Sequence, residues 1–176
     1  MSLPHAILTA LLERPSSGLE LTRRFDRSIG FFWSATHQQI YRELGRLEQA
    51  GLIRPVPQPP SRGQRKEYEV LPAGREALAG WVGEQQDPKP IRDALLLRLR
   101  AAAVVGAPGL AAELSRHLEL HQRQLDEYRE IERRDFPAER AAGENRLQHV
   151  VLQAGIQLET FWTEWLAQAL AALDEE

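Results

Sequence analysis

Cysteine is absent from the 176-residue chain. That excludes a disulfide scaffold, a thiolate metal site and a cysteine nucleophile, and it fits a reducing compartment. No apolar run approaches the roughly 18 residues of a membrane span, so no membrane partner is expected. The opening MSLPHAILTALLERP is apolar but lacks a basic leader and an A-x-A-like cleavage site. It reads as a first helix and not as a signal peptide, and a cytoplasmic protein is the expectation. There is no glycine-rich phosphate loop and no serine on a nucleophile elbow. Positive charge is not in excess either: the net charge is −3 at pH 7.

What is present is an ordinary globular composition, with 43% apolar and 27% charged residues, and a length that suits one large or two small domains. The charge is unevenly spread. Residues 1–86 hold 11 Lys and Arg against 9 Asp and Glu, a balance of +2; residues 87–176 hold 11 against 16, a balance of −5. The first part is the better match for an anionic partner. Gln85-Gln86-Asp87-Pro88-Lys89-Pro90 reads as a linker, so the expected domains are 1–86 and 91–176.

Along the first part, a helix is predicted over roughly 3–13, with Ile7, Leu8, Leu11 and Leu12 inward, and Arg14-Pro15 ends it. Ser17-Gly18-Leu19-Glu20 is a capping-box pattern, in which Ser and Glu side chains each satisfy an orphan amide. A second helix follows to about Arg27, burying Leu21 and Phe25. Thr36-His37-Gln38-Gln39 repeats the pattern, with Ser34 as a competing cap, and opens a third helix that ends at Gly51. Beyond it Leu52, Arg54 and Val56 alternate, as do residues 67–70, around the basic tip PQPPSRGQRK. This predicts a short β-hairpin, with Pro55 and Pro57 either confining its first strand to an edge or shortening it. Pro72 opens a fourth helix whose expected inner face is Ala77, Leu78, Trp81 and Val82.

Three helices, a basic-tipped hairpin and a fourth helix are the order of a winged helix-turn-helix. On a 100° wheel Leu44 and Leu47 fall within about 40° of Ile40, whereas Gln38 and Arg42 fall nearly opposite. Gln39 and Arg46 flank that outer face on one side, His37 and Tyr41 on the other. Long amides and arginines are an unusual solvated face, but Gln can bond adenine and Arg can bond guanine or phosphate. Recognition helices read bases with their first residues. The candidate contacts to double-stranded DNA are Thr36, His37, Gln38, Gln39, Tyr41, Arg42 and Arg46 on the helix, with Arg62, Arg65 and Lys66 at the hairpin tip.

The second part has no strand pattern. Helices are expected over 91–105, about 109–134 and about 140–173, broken at Gly106-Ala107-Pro108 and Phe136-Pro137. The last carries two apolar stripes: Leu147, Val151, Ala154, Leu158, Phe161, Trp165, and Leu152, Ile156, Trp162, Leu166, Leu170. A helix apolar on two faces needs two partners. A homodimer is the simplest source of the second, with Leu158, Phe161, Trp162, Trp165 and Leu166 as its candidate residues. Phe161, Trp162 and Trp165 are dimer core on this reading, or else they line a pocket for a small aromatic effector.

The segments WSATHQQIYRELGRLEQAGLI and RGQRKEYEVLPAGREALAGW resemble the PadR family of bacterial transcriptional regulators. Trp33, Ala35, Thr36, Gln39, Ile40, Tyr41, Leu44, Leu47, Gly51, Tyr68 and Gly74 occupy the places of the family pattern, and SGLEL matches its opening of the second helix. The helical second part is similar to the Vir-like domain of the longer members. Leu71 departs from the pattern, where a Thr that would cap the fourth helix is usual. The resemblance implies a cytoplasmic homodimeric winged-helix repressor, with Tyr41 on a phosphate and, in some members, a response to phenolic or lipophilic molecules.

An enzyme is the competing class. Its best lure is His117-Leu-Glu-Leu-His121, two histidines able to share a metal. A zinc protease needs Glu directly after the first His, and Glu119 stands one place too far on, with no third ligand evident. No catalytic residue, metal or cofactor is therefore expected. A winged helix that binds another protein is the third reading, against which the basic tip and amide-rich helix argue. The expected fold is mainly α with a small β-hairpin wing, an N-terminal winged helix-turn-helix followed by a C-terminal helical dimerisation domain.

Overall fold

The computed structural model describes residues 2–27, 35–56, 66–137 and 146–174, which form two compact units, Met1–Pro88 and Lys89–Glu176.

In the first unit α1 spans Leu3–Glu13, with proline in its first turn. It buries Ile7, Leu8, Ala10 and Leu11, so small Ala10 takes the inner place expected for Leu12, which is only half-buried. Ser16–Ser17 form β1 and Gly18–Arg27 form α2. The capping box is made: Ser17 N–H donates to Glu20 Oε2 at 2.8 Å and Glu20 N–H to Ser17 Oγ at 3.3 Å. Leu21, Thr22 and Phe25 are fully buried. Arg24 ties α2 to the end of α1, donating to the Ala10 carbonyl and to Glu13, both at 2.6 Å. There it satisfies a helix-terminal acceptor and complements the negative end of the helix.

α3 spans His37–Gln49 and buries Ile40, Leu44 and Leu47. Gly51, at φ +68°, ends it. The Leu52 N–H reaches the Leu47 carbonyl and the Gly51 N–H the Glu48 carbonyl, both at 3.0 Å, which is a Schellman motif. β2 (Ile53–Pro55) and β3 (Glu67–Val70) follow. The hairpin is not alone: β1 pairs with β3, Ser16 opposite Tyr68, to give an antiparallel sheet of order β1-β3-β2. A two-residue strand of serines has no alternation to read. Pro55 lies in the edge strand β2, where its missing N–H removes no ladder bond.

α4 spans Pro72–Val82 with no side-chain cap at Leu71. The expected inner face is corrected here. Ala77 and Val82 are exposed, Val82 by 73%, and the inward line is Gly74, Leu78 and Trp81. A side-chain carbon on Gly74 would collide with the Leu52 carbonyl. That close approach turns the 74–78–81 line inward.

In the second unit α5 spans Ala94–Val105, three residues shorter at its start than expected, because Asp93 Oδ1 accepts the Leu95 N–H at 2.7 Å and caps it. α6 spans Leu110–Asp135 and α7 spans Arg146–Asp174. Residues 138–145, on which the expected start of the last helix falls, are outside the described residues. α6 and α7 pack along their lengths. Leu95, Leu110, Leu114, Leu166 and Ala169 form one core cluster. Further along, a carbon on Gly155 would lie 3.0 Å from the Tyr128 ring, so a glycine lets the two helices close around that tyrosine. Leu152 and Leu166 of one α7 stripe are buried, while Leu147, Leu158 and Phe161 of the other are 78%, 55% and 52% exposed.

Candidate nucleic-acid interface

The outer face of α3 is set by how the helix starts. Thr36 Oγ1 accepts the Gln39 N–H at 3.3 Å, and Gln39 Oε1 accepts the Thr36 N–H at 2.8 Å. Gln39 therefore has its carbonyl oriented by the cap, which fixes the direction in which its NH2 can meet a base edge. Thr36, His37, Gln38, Tyr41 and Arg42 are exposed. Gln38 and Arg42 make no hydrogen bond or ion pair among the described residues. Arg46 differs: its Nη1 lies 3.3 Å from Glu43 Oε2, so its charge is partly met within the helix.

Tyr41 lies against the start of α2. A side-chain carbon on Gly18 would stand 2.5 Å from its Cε1, so the ring occupies the space that a larger residue at position 18 would take. Tyr41, Lys66 and Tyr68 share a cleft of about 240 Å³ with Ser17, Gly18 and Leu19. Lys66 donates to both carboxylate oxygens of Glu48 at 2.8 Å, and its ammonium lies 5.2 Å from the Tyr68 ring centroid. The Glu48 carboxylate holds the Lys66 ammonium above its ordinary pKa, so it stays charged. Arg62 and Arg65, like Trp33, lie outside the described residues. Gly18, Glu48 and Tyr68 are the neighbours that sequence reasoning did not assign to this face. The motif SGLEL held a signal for Gly18, whereas no spacing rule links Glu48 to Lys66.

In the second unit Leu158 and Phe161 are exposed, Trp162 and Trp165 half-buried, and Leu166 wholly buried. Leu166 is thus core of its own unit and offers no surface. The aromatics form a ladder: His121 stacks on Trp162 at 5.4 Å, and Trp162 meets Phe161 and Trp165 edge-on at 5.5 and 5.6 Å. His121 Nδ1 faces Glu159 Oε2 at 2.6 Å, while His117 Nε2 faces Glu113 Oε1 at 3.3 Å. The two rings thus serve different carboxylates. Glu113 is drawn down to about 2 by its hydrogen bonds to Arg116, with His117 adding to the effect. Among the described residues no group of three or more His, Cys, Asp or Glu could hold a metal ion, and no helix is long and apolar enough to cross a membrane.

Residues 7–80 match the transcriptional regulator PadR-like family, and residues 91–174 match the family described as virulence activator alpha C-term. A probable transcriptional regulator of Mycobacterium tuberculosis is 39% identical over 100% of both chains. The negative transcriptional regulator PadR of Bacillus subtilis is 26% identical over 99% of this chain and 98% of its own. Among solved structures, the virulence activator AphA of Vibrio cholerae superposes with a TM-score of 0.85 at 31% identity, covering 99% of each chain. B. subtilis PadR in complex with p-coumaric acid superposes at 0.79 with 25% identity, over 99% of each chain. Its complex with operator DNA superposes at 0.82 with 23% identity, over 98% of this chain and 99% of the other.

Proposed function

The chain belongs to the PadR-like family of transcriptional regulators, and on that footing we propose that it binds duplex DNA sequence-specifically through α3, as a homodimer on an inverted repeat, and represses the gene whose operator it covers. Residues 1–86 are the DNA-binding domain in this reading and residues 91–176 the dimerisation domain. The observation that carries it is the outer face of α3. Gln38 in the doubly capped first turn and Arg42 one turn on have no partner among the described residues, and a buried face of Ile40, Leu44 and Leu47 holds them outward. Such groups are ready to bond base edges without first breaking an internal contact. On this reading Tyr41, in the cleft beside α2, contacts a backbone phosphate, and Arg62 and Arg65 supply charge for the flanking backbone.

The dimer rests on α7. Its exposed stripe puts Leu147, Val151, Leu158 and Phe161 in water, a continuous apolar band that a second copy would cover. Two copies repeat one reading head about one helical turn or a multiple of it away. Repression is favoured by the name of the B. subtilis relative, a negative regulator; AphA is named an activator, so the sign is a property to be measured on the regulated promoter. The B. subtilis protein was solved with p-coumaric acid. We extend that to this chain as a small aromatic effector that releases DNA by binding one dimer geometry more tightly than the other.

Fluorescence anisotropy of labelled duplexes, titrated with the full chain, tests the reading. Saturable binding that distinguishes one sequence from scrambled DNA at equal salt is expected. Equal affinity for every duplex, or none, leaves the winged helix as a protein-interaction module.

A further inference from the structure

The last turn of α3 carries Glu48, and β3 is entered through Lys66. The Lys66 ammonium meets both carboxylate oxygens of Glu48 at 2.8 Å, across 18 residues of sequence. On its other side it lies 5.2 Å from the Tyr68 ring centroid. Tyr68 is itself fixed, opposite Ser16 of β1 and Pro55 of β2. On the helical wheel Glu48 falls about 80° from Ile40, on the same flank as Tyr41 at about 100°. Lys66 lines the cleft that holds Tyr41, and Glu48 clasps it from the same flank of the helix.

For a surface meant to meet phosphates this is an odd placement. A carboxylate there repels DNA, and it neutralises the one cation of the tip that is among the described residues. The stability gained cannot explain it, because exposed ion pairs contribute little. What a two-point contact does supply is geometry. It fixes one lysine, and with it the start of β3, against the end of the helix. A helix and a hairpin that engage one duplex together must meet it at a set angle, since loss of simultaneous engagement loses the gain from linking them.

Resting on the DNA-binding reading above, we propose that Glu48 is a positioning residue for DNA recognition: by clasping Lys66 it sets the root of the hairpin against the last turn of α3. Lys66 is then a strut, not a phosphate contact.

Anisotropy titrations of the full chain on its preferred duplex, over a series of salt concentrations, separate the two roles by sign. Glu48→Ala removes an anion from the DNA side, so charge alone makes binding tighter. The clasp makes it weaker, by roughly fivefold, the upper range for what one exposed ion pair can hold. Lys66→Ala weakens binding similarly and leaves the salt slope unchanged, whereas a lost phosphate contact lowers that slope by about one. Glu48→Lys combined with Lys66→Glu restores affinity. Circular dichroism checks that each variant folds, and if Glu48→Ala does not, the exchanged pair carries the test alone. Binding by Glu48→Ala as tight as that of the unaltered chain, a lowered salt slope in Lys66→Ala, or no rescue by the exchange overturns the inference. An unaltered chain that binds no duplex overturns the DNA-binding reading, and this inference with it.

Discussion

A side-chain carbon on Gly18 would stand 2.5 Å from Cε1 of Tyr41, so the N-terminus of α2 and the outer flank of α3 share one space. Gly18→Ala must displace the ring or the helix. If Tyr41 meets a phosphate, Gly18→Ala and Tyr41→Ala should each weaken operator binding. The double variant should be no worse than the poorer single one, because both remove one contact. A double-mutant cycle by anisotropy checks this, with full additivity as the contrary result.

The face of α3 divides by role. Gln38→Ala and Arg42→Ala should each cost on the order of 1–3 kcal/mol of operator binding and relax specificity at one position of the half-site. Gln39→Ala should instead lower thermal stability of the first unit, by about 1 kcal/mol, because it opens the capping box. Melting and anisotropy measured on the same three proteins separate the two effects.

Much of this was legible beforehand because it is local. Ser17–Glu20 and Thr36–Gln39 are four-residue patterns, and both boxes are made. Gly51 was readable as a left-handed C′ residue. What was hidden is non-local. The strand Ser16–Ser17 exists only because β3 pairs with it. The inner face of α4 follows from Gly74 pressing on a carbonyl of another segment. Periodicity revealed two stripes on α7 but could not say which one its own unit covers; that Leu166 is buried and Leu158 exposed depends on where α6 lies. The partner of Lys66 was invisible for the same reason.

That distinction separates interface from core. If α7 forms the dimer seam, Phe161→Asp or Leu158→Asp should yield a folded monomer, because the charge is placed on the exposed stripe that the proposed second copy covers. Leu166→Asp should unfold the second unit, because an unpaired charge would enter a wholly buried site. Light scattering with circular dichroism distinguishes them. A dimer that survives both exposed substitutions puts the interface elsewhere.

The first unit should also be sensitive to acid. His5 stacks on Trp81 at 4.3 Å, with its Nδ1 buried and without a hydrogen-bond partner among the described residues. Burial pushes its pKa below the ordinary 6.5, with Glu84 acting the other way. The unfolded chain therefore takes up the proton more readily. The stabilising contribution is complete above pH 6.5 and is lost as pH falls from there through the folded pKa. His5→Phe should flatten the dependence of the melting temperature on pH in this window. An unchanged slope would mean that the ring is not the titrating group.

The most direct measurement is an unbiased selection of duplexes from a random library by the full chain, followed by sequencing. Enrichment of an inverted repeat whose half-sites lie one helical turn or a multiple of it apart is the expected result, with altered half-sites in the Gln38→Ala protein. A pool that stays random through successive rounds, or a motif indifferent to Gln38 and Arg42, would contradict the assignment of α3 as the element that reads DNA.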